Sequence, residues 1–270
     1  TTLFRSNKSA QRKTPKLFSY QEFCFFEALN DMTNYQRTYS IGEVEIDGGA
    51  IYHKTEYRER RNHYTLFACT HPVVGFDTSR DAFVGIHEGL HEARVPFAGK
   101  CTNSVAFGWN PIGSHQIDLD LAPGESTTFA FVLAYVEQGD APKFDAPFVM
   151  NKAVGRAIVE KYSAPGAVDT ALADLKKYWD DLLEKFQADC PNEHANRMLN
   201  VWNQYQCMAT FNMSRSASMY ETGIGRGMGF RDSNQDLLGF VHMIPSRARR
   251  RILDIAATQL SDGTCFHQYQ

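Results

Sequence analysis

The sequence predicts a chain of two parts, an antiparallel all-β region followed by a helical one, and three observations carry this. Between Lys16 and about Glu137, apolar residues alternate or cluster in short runs rich in Phe, Tyr, Val and Ile, the pattern of strands. The stretch GDAPKFDAPF then brings two prolines and ends that pattern. Beyond it, VDTALADLKKYWDDLLEKF sets Val168, Leu172, Leu175, Trp179, Leu182, Leu183 and Phe186 at steps of three and four, the period of an amphipathic helix.

The strand-like runs are KLFSYQEFCFFEAL, HYTLFACTH and HQIDLDLAPGESTTFAFVLAYVE. Turn residues join them. Gly48 and Gly49 in IDGGAIYH mark one turn, and Pro123 and Gly124 in APGE link residues 117–121 to 127–136. This rhythm is that of a β-sandwich meander.

In the helical part, Asp189 and Pro191 end the first helix, and HANRMLNVWNQYQCMATFN (194–212) reads as a second. QDLLGFVHMI and SRARRRILDIAATQL read as two more, separated by Pro245 with Ser246 as the expected cap. The division expected is therefore residues 1–138 as a β-sandwich lacking its first strands, 139–190 as a linker with an amphipathic helix, and 191–270 as the opening helices of a further domain. The chain begins without Met and stops at FHQYQ, and both ends read as cuts.

With 270 residues and 43% apolar content the chain can build a large core. A formal charge of −3 gives no field of one sign to draw in nucleic acid or an anionic membrane. A neutral small molecule suits it better. The six cysteines include no CxxC pair, which argues against a zinc site or a disulfide framework. Neither a signal-peptide pattern nor a transmembrane-length apolar run is present, so the chain reads as cytoplasmic. His87 and His91 in HEGLH have helical spacing but lack the HExxH order, and no metal is expected. The run YHKTEYRERRNHY interleaves its arginines with glutamates and reads as a solvated or interface strand rather than a nucleic-acid patch.

The most unusual segment is SRSASMYETGIGRGMGFRDSNQDLLG (214–239), where Gly223, Gly225, Gly227 and Gly229 occupy alternate positions. No strand precedes it, which argues against a dinucleotide fingerprint. Arg226, Arg231 and Asp232 stand within this run, just before an apolar helix. Backbone lacking side chains can approach a ligand closely, and guanidinium with carboxylate can fix sugar hydroxyls or phosphate. Asp232, beside a fixed positive charge, suits accepting hydroxyl protons rather than acting as a general acid. A second polar cluster, NDMTNYQRTYS (30–40), contains Gln36 and Arg37 and reads either as a hydroxyl-binding rim or as a hydrogen-bonded hairpin loop.

The segments NDMTNYQR, GEVEI, IYHKTEYRERR, VWNQYQCMATFNMSRSAS and GIGRGMGFRDSNQDLLGFVHMIP resemble cellobiose phosphorylases, in glycoside hydrolase family ninety-four of inverting phosphorylases. The likeness runs along nearly the whole chain. It implies an N-terminal β-sandwich, a helical linker and the start of an (α/α)6 barrel, in an enzyme that works as a homodimer. It assigns Arg226 to phosphate and donor sugar, Arg231 and Asp232 to the donor hydroxyls, and Gln36 and Arg37 to the neighbourhood of the acceptor. The implied reaction is reversible phosphorolysis of cellobiose to α-glucose 1-phosphate and glucose with inversion. No metal or organic cofactor is implied, because inorganic phosphate is itself a substrate and only one protein proton donor is needed.

That donor, an Asp, is expected after Gln270, with further His and Thr-Gly phosphate ligands. Three other readings stay open: a phosphorylase for cellodextrin, cellobionic acid or diacetylchitobiose, an inverting hydrolase on the same barrel, and a non-catalytic carbohydrate-binding sandwich. The 270-residue chain alone is expected to be inactive, since it lacks the proton donor. Incubation with cellobiose and phosphate should release no glucose 1-phosphate, and robust release would overturn the assignment of the acid.

Overall fold

A computed structural model describes residues 1–23, 43–54, 62–106, 111–213 and 228–269. The chain forms two compact units, Thr1–Asp169 and Thr170–Gln270.

The first unit is built on two antiparallel sheets. One has the order β1 (Thr2–Ser6), β9 (Ser126–Glu137), β6 (His63–Cys69), β5 (Ala50–Lys54), β4 (Glu43–Asp47). The other centres on β8 (Pro111–Asp118), which pairs with β2 (Lys16–Phe18), β3 (Gln21–Glu22) and β7 (Gly75–Ser79). The twelve residues of β9 pair with β1 through Thr2↔Ala130 and with β6 through His63↔Glu137. As expected, β4 and β5 form a hairpin whose closing pair is Asp47↔Ala50, with Gly48 and Gly49 both at positive φ, the geometry that glycine supplies in two-residue turns. Phe23, Ile51 and Phe67 are buried with Phe76 and Phe131 packed against them, so side chains from both sheets share one core.

Between β7 and β8 the chain leaves the strand pattern for α1 (Arg80–Phe83), a 3-10 turn at Leu90–Glu92 and α2 (Arg94–Ala98). His87 and His91 of HEGLH thus lie in a loop and a 3-10 turn rather than on a helix. A fully buried carboxylate fixes this excursion. Asp77 accepts hydrogen bonds from the backbone N–H groups of Thr102 (3.0 Å) and Ser104 (2.9 Å) and from both hydroxyls, which satisfies a charge that is costly to bury alone.

The proline-bearing stretch does not stay irregular. It forms a short hairpin, β10 (Phe144–Ala146) with β11 (Val149–Met150), followed by a helix that the periodicity did not reveal, α3 (Ala153–Ser163). Ile158, Val159 and Tyr162 of α3 pack on Tyr52, Tyr64, Leu66 and Val136 of the larger sheet. Gly155 permits that closeness. A β-carbon there would stand 2.9 Å from Leu66, Tyr52 and Tyr64, and its N–H donates to the Tyr64 hydroxyl at 2.8 Å. Two ion pairs add to the attachment: Lys152 with Glu45, both largely shielded from solvent, and Arg156 with Asp47 at 2.7 Å.

The second unit takes in all but the first three residues of α4 (Ala167–Leu183), then α5 (Glu193–Arg197) running through a π-helical turn (Met198–Trp202) into α6 (Asn203–Met213), α7 (Phe230–Leu238) and α8 (Pro245–Ala256). The short strands β12 (Met228–Gly229) and β13 (Gln268–Tyr269) pair with each other. Asn192 caps α5, its Oδ1 accepting from the N–H groups of His194 and Ala195. At α8 the expected cap is not used. Pro245 occupies the first turn with Ile244 before it, and Ser246 lies inside the helix, because proline's fixed φ suits a helix start where its missing N–H goes unneeded.

His115 gives the sandwich a pH signature. Its ring is fully buried, 4.8 Å from the Phe67 ring centroid, with Nδ1 3.2 Å from the Ser19 hydroxyl. Burial lowers its pKa from 6.5 to about 4, against a smaller opposing effect from the Gly49 backbone. The native imidazole is therefore neutral, whereas the unfolded one takes up a proton below 6.5. Its stability contribution is complete above that pH and is lost as pH falls toward 4, by about 3 kcal/mol. Urea midpoints should drop across this window and drop less in His115→Phe; equal pH profiles for both proteins would refute the assignment.

Candidate functional site

Of the residues singled out from sequence, Arg231 and Asp232 are described by the structure. Gln36, Arg37 and Arg226 lie outside the described residues. The described part of the glycine-rich run differs from the expectation in one respect. The helix does not begin at Gln235 but at Phe230, so Arg231 and Asp232 occupy the first turn of α7 rather than a loop. Gly229 precedes the helix in an extended conformation, Phe230 anchors the first turn in the core, and Asp232 lies where a carboxylate complements the helix dipole.

Adjacent on the helix, the two side chains touch but differ sharply in exposure. Arg231 Nη2 is 3.4 Å from Asp232 Oδ1, with the Arg231 side chain 86% exposed and that of Asp232 15% exposed. The guanidinium thus extends from the surface while the carboxylate lies back against the start of the helix. On the opposite side Ser233 and Leu237 are buried, and Asn234 Nδ2 donates to the Phe230 carbonyl at 2.8 Å.

The core beneath α7 consists of Leu182, Phe211, Leu237, Phe240, Met243, Ile244, Ala248 and Ile255. Phe240 and Met243 are fully buried. Lys185 Nζ donates to the Met243 carbonyl at 2.8 Å. Gly239, after α7, lies against Cys207 of α6, where a β-carbon would meet Sγ at 3.3 Å.

Two arginines of α8 hold the end of α6. The Arg251 guanidinium lies 4.6 Å from the Phe211 ring centroid and donates to the Phe211 carbonyl at 3.2 Å, and Arg247 donates to Asn212 Oδ1 at 2.8 Å. On the other side of residues 214–227, β12 is paired with β13 through Met228↔Tyr269 and Gly229↔Gln268. Both flanks of the segment that contains Arg226 are therefore fixed to one helical core. Sequence reasoning did not single out Arg247, Arg251 or the strand Gln268–Tyr269. A cue for the arginines is their four-residue spacing on one face of a helix, but their partner ring is set by tertiary packing.

The helical unit also has an open cavity of about 430 Å³ lined by Asp180, Glu184, Gln187, Asn196, Arg197 and Asn200 among others. Asn200 and Asn196 are engaged there, bonded to the backbone of Ala188 and Cys190. Among the described residues, no group of three or more His, Cys, Asp or Glu side chains is placed to hold a metal ion. Nor is any described helix long and apolar enough to cross a membrane.

Residues 4–165 match the supersandwich domain of glycosyl hydrolase 94, and residues 178–270 match the catalytic domain of the glycosyl hydrolase 94 superfamily. The chain belongs to this family. Among curated relatives, it is 30% identical over 265 residues to N,N'-diacetylchitobiose phosphorylase of Vibrio furnissii, covering 97% of this chain and 31% of the relative. It is 22% identical over 267 residues to solabiose phosphorylase of Paenibacillus borealis, covering 98% of this chain and 32% of the relative. It is 29% identical over 203 residues to cyclic beta-(1,2)-glucan synthase NdvB of Rhizobium meliloti, covering 75% of this chain and 7% of that protein. The chain thus spans about a third of the length of the two phosphorylases.

Within this glycosyl hydrolase 94 chain, the first sheet and α3 belong to the part matching the supersandwich, and α7 with Arg231 and Asp232 belongs to the part matching the catalytic domain. The footing of α7 is testable. Phe240→Ala removes a fully buried ring that packs 6.3 Å from Phe211 and should lower the stability of the helical unit by about 3–5 kcal/mol. Denaturant unfolding followed by tryptophan fluorescence reads the shift; an unchanged midpoint would show that this core does not hold the site.

Proposed function

We propose that this chain supplies the sandwich and the opening helices of an inverting β-disaccharide phosphorylase, and that its substrate is cellobiose. The observation that carries the reading is the placement of the family's GFRD string. It puts a solvent-reaching guanidinium and a recessed carboxylate side by side on the first turn of a helix whose footing is a rigid core. Such a pair binds vicinal hydroxyls in fixed geometry, the carboxylate accepting and the guanidinium donating.

In the proposed reaction, a phosphate oxygen attacks the anomeric carbon of the non-reducing glucose. The bond from that carbon to the bridging oxygen breaks, and an Asp outside this chain protonates the leaving oxygen. The products are α-glucose 1-phosphate and glucose, with the configuration inverted. Arg226 neutralises the phosphate as it approaches an oxocarbenium-like centre, Arg231 and Asp232 hold the donor glucose, and Gln36 and Arg37 stand toward the acceptor. On this reading further helices complete an (α/α)6 barrel, which the exposed apolar residues Leu172, Leu175, Trp202 and Leu253 support. The protein then works as a cytoplasmic homodimer without metal or organic cofactor.

The 30% identity to a diacetylchitobiose phosphorylase along 97% of the chain favours a second reading, phosphorolysis of N,N'-diacetylchitobiose. Assays of the full-length protein separate the two. Cellobiose cleavage should require phosphate and give α-glucose 1-phosphate by ³¹P NMR. Arg226→Ala and Asp232→Ala should each lower kcat/KM by roughly 10²–10³. Exclusive turnover of diacetylchitobiose would select the second substrate, cleavage without phosphate would mean a hydrolase, and binding without turnover would mean a carbohydrate-binding module.

A further inference from the structure

The aim of Arg231 and Asp232 depends on three residues before them, and the structure shows what holds those three. Met228 and Gly229 pair with Tyr269 and Gln268, and the Phe230 N–H donates to the His267 carbonyl at 3.3 Å. The backbone of 267–269 therefore grips 228–230 along its whole length. The strand returns to this place by a turn after α8, in which Asp262 Oδ1 accepts from the Thr264 N–H (2.9 Å) and hydroxyl (2.7 Å), and the Leu260 N–H donates to the Thr264 carbonyl. Tyr269 anchors the strand by packing on the helical core.

Gly229 adds a second constraint. It is buried, and a β-carbon placed on it would stand 3.0 Å from Asp232 Oδ2 and 3.3 and 3.4 Å from Asp232 Cβ and Cγ. The Asp232 side chain folds back into the volume that any larger residue at 229 would take. Backbone strain plays no part, because φ −74° and ψ 133° suit any residue. The glycine is needed for the carboxylate, not for the turn.

From this clearance and this clamp we infer that Gly229 and the strand Gln268–Tyr269 are positioning elements of the donor-sugar site. They set where the Asp232 carboxylate meets the donor hydroxyls, and they do so without touching the sugar. The inference rests on the proposed donor role of Arg231 and Asp232 and goes beyond it in naming the residues that aim the pair.

The test is steady-state kinetics of the full-length enzyme in the synthetic direction, with α-glucose 1-phosphate and acceptor varied separately. Gly229→Ala moves the carboxylate by a few tenths of an ångström. It should therefore lower kcat/KM for glucose 1-phosphate by roughly three- to tenfold, given that a displacement of about 1 Å costs on the order of 100-fold. The acceptor KM should stay as in the parent, and the thermal midpoint should stay equal or rise. A merely structural glycine would show the opposite, a lower midpoint with unchanged kinetics. Tyr269→Ala should reproduce the donor-side loss and Tyr269→Phe should restore parent values. Asp232→Ala serves as the control for the underlying reading. If that variant keeps parent kinetics, the donor site itself is misassigned; if it loses activity while Gly229→Ala keeps parent values for glucose 1-phosphate, only the positioning inference fails.

Discussion

Burial of Phe240 and Met243 beneath α7 and α8 is the contact on which the candidate site depends. These side chains are fully withdrawn from water, and each secures a different boundary of the site. Phe240 packs on Phe211, which ends α6 and receives the two α8 arginines, while the Met243 carbonyl takes the Lys185 ammonium. A guanidinium and a carboxylate on adjacent residues select hydroxyl positions only if the backbone beneath them is stationary. The hydrophobic core makes it so, and the polar pair needs no ion-pair strength of its own. A 3.4 Å contact with one partner mostly in solvent contributes little stability.

The sandwich solves a different problem with buried polar groups. Asp77 lies at zero exposure and holds Thr102 and Ser104, so the excursion through α1 and α2 returns to the sheet at a fixed place. Lys152 and Glu45 join the start of α3 to β4, with the Met150 N–H donating to the same carboxylate at 2.7 Å. Removing one member of such a pair leaves an uncompensated charge, so these contacts specify which arrangement forms more than they add to its stability. His115 is the exception, a neutral ring among aromatic rings, tolerated only while it stays unprotonated.

These distinctions explain what could be read from the sequence. Apolar runs made β6 and β9 visible, and Gly48–Gly49 announced the hairpin, whereas β8 (Pro111–Asp118) was read only from His115 on because it buries Ser114, His115 and Gln116 between its apolar residues. The long period of α4 was equally plain. Helix α3 was hidden because AVGRAIVEKYS begins with a glycine in its first turn, and that glycine serves contact with the sheet rather than propensity. The start of α7 was hidden for the same reason, as alternate glycines read as loop while Gly229 in fact clears space for Asp232. Polar anchors lay beyond any local pattern. Glu45 and Lys152 are 107 residues apart, and Arg251 and Phe211 are 40 apart. The candidate site was proposed from GRGMGFRDSNQD, of which the structure describes Met228 onward, whereas the support beneath that part comes from segments with no signature.

Placing the Arg-Asp pair on a helix start rather than on a flexible loop also changes what the site can discriminate. A loop can follow a misplaced hydroxyl at little cost, so its contacts strengthen binding without sharpening selection. A first-turn carboxylate backed by Gly229 and a two-residue ladder cannot follow. On the proposed donor role, a sugar with a displaced or missing hydroxyl forgoes a hydrogen bond at a carboxylate that is only 15% exposed, where replacement water has little access. If Arg231 and Asp232 hold the donor ring as proposed, selectivity for that ring follows from the backbone pairing of 228–229 with 268–269 and from the clearance at Gly229. The exposed Arg231 tolerates more variation, since water can replace whatever it loses.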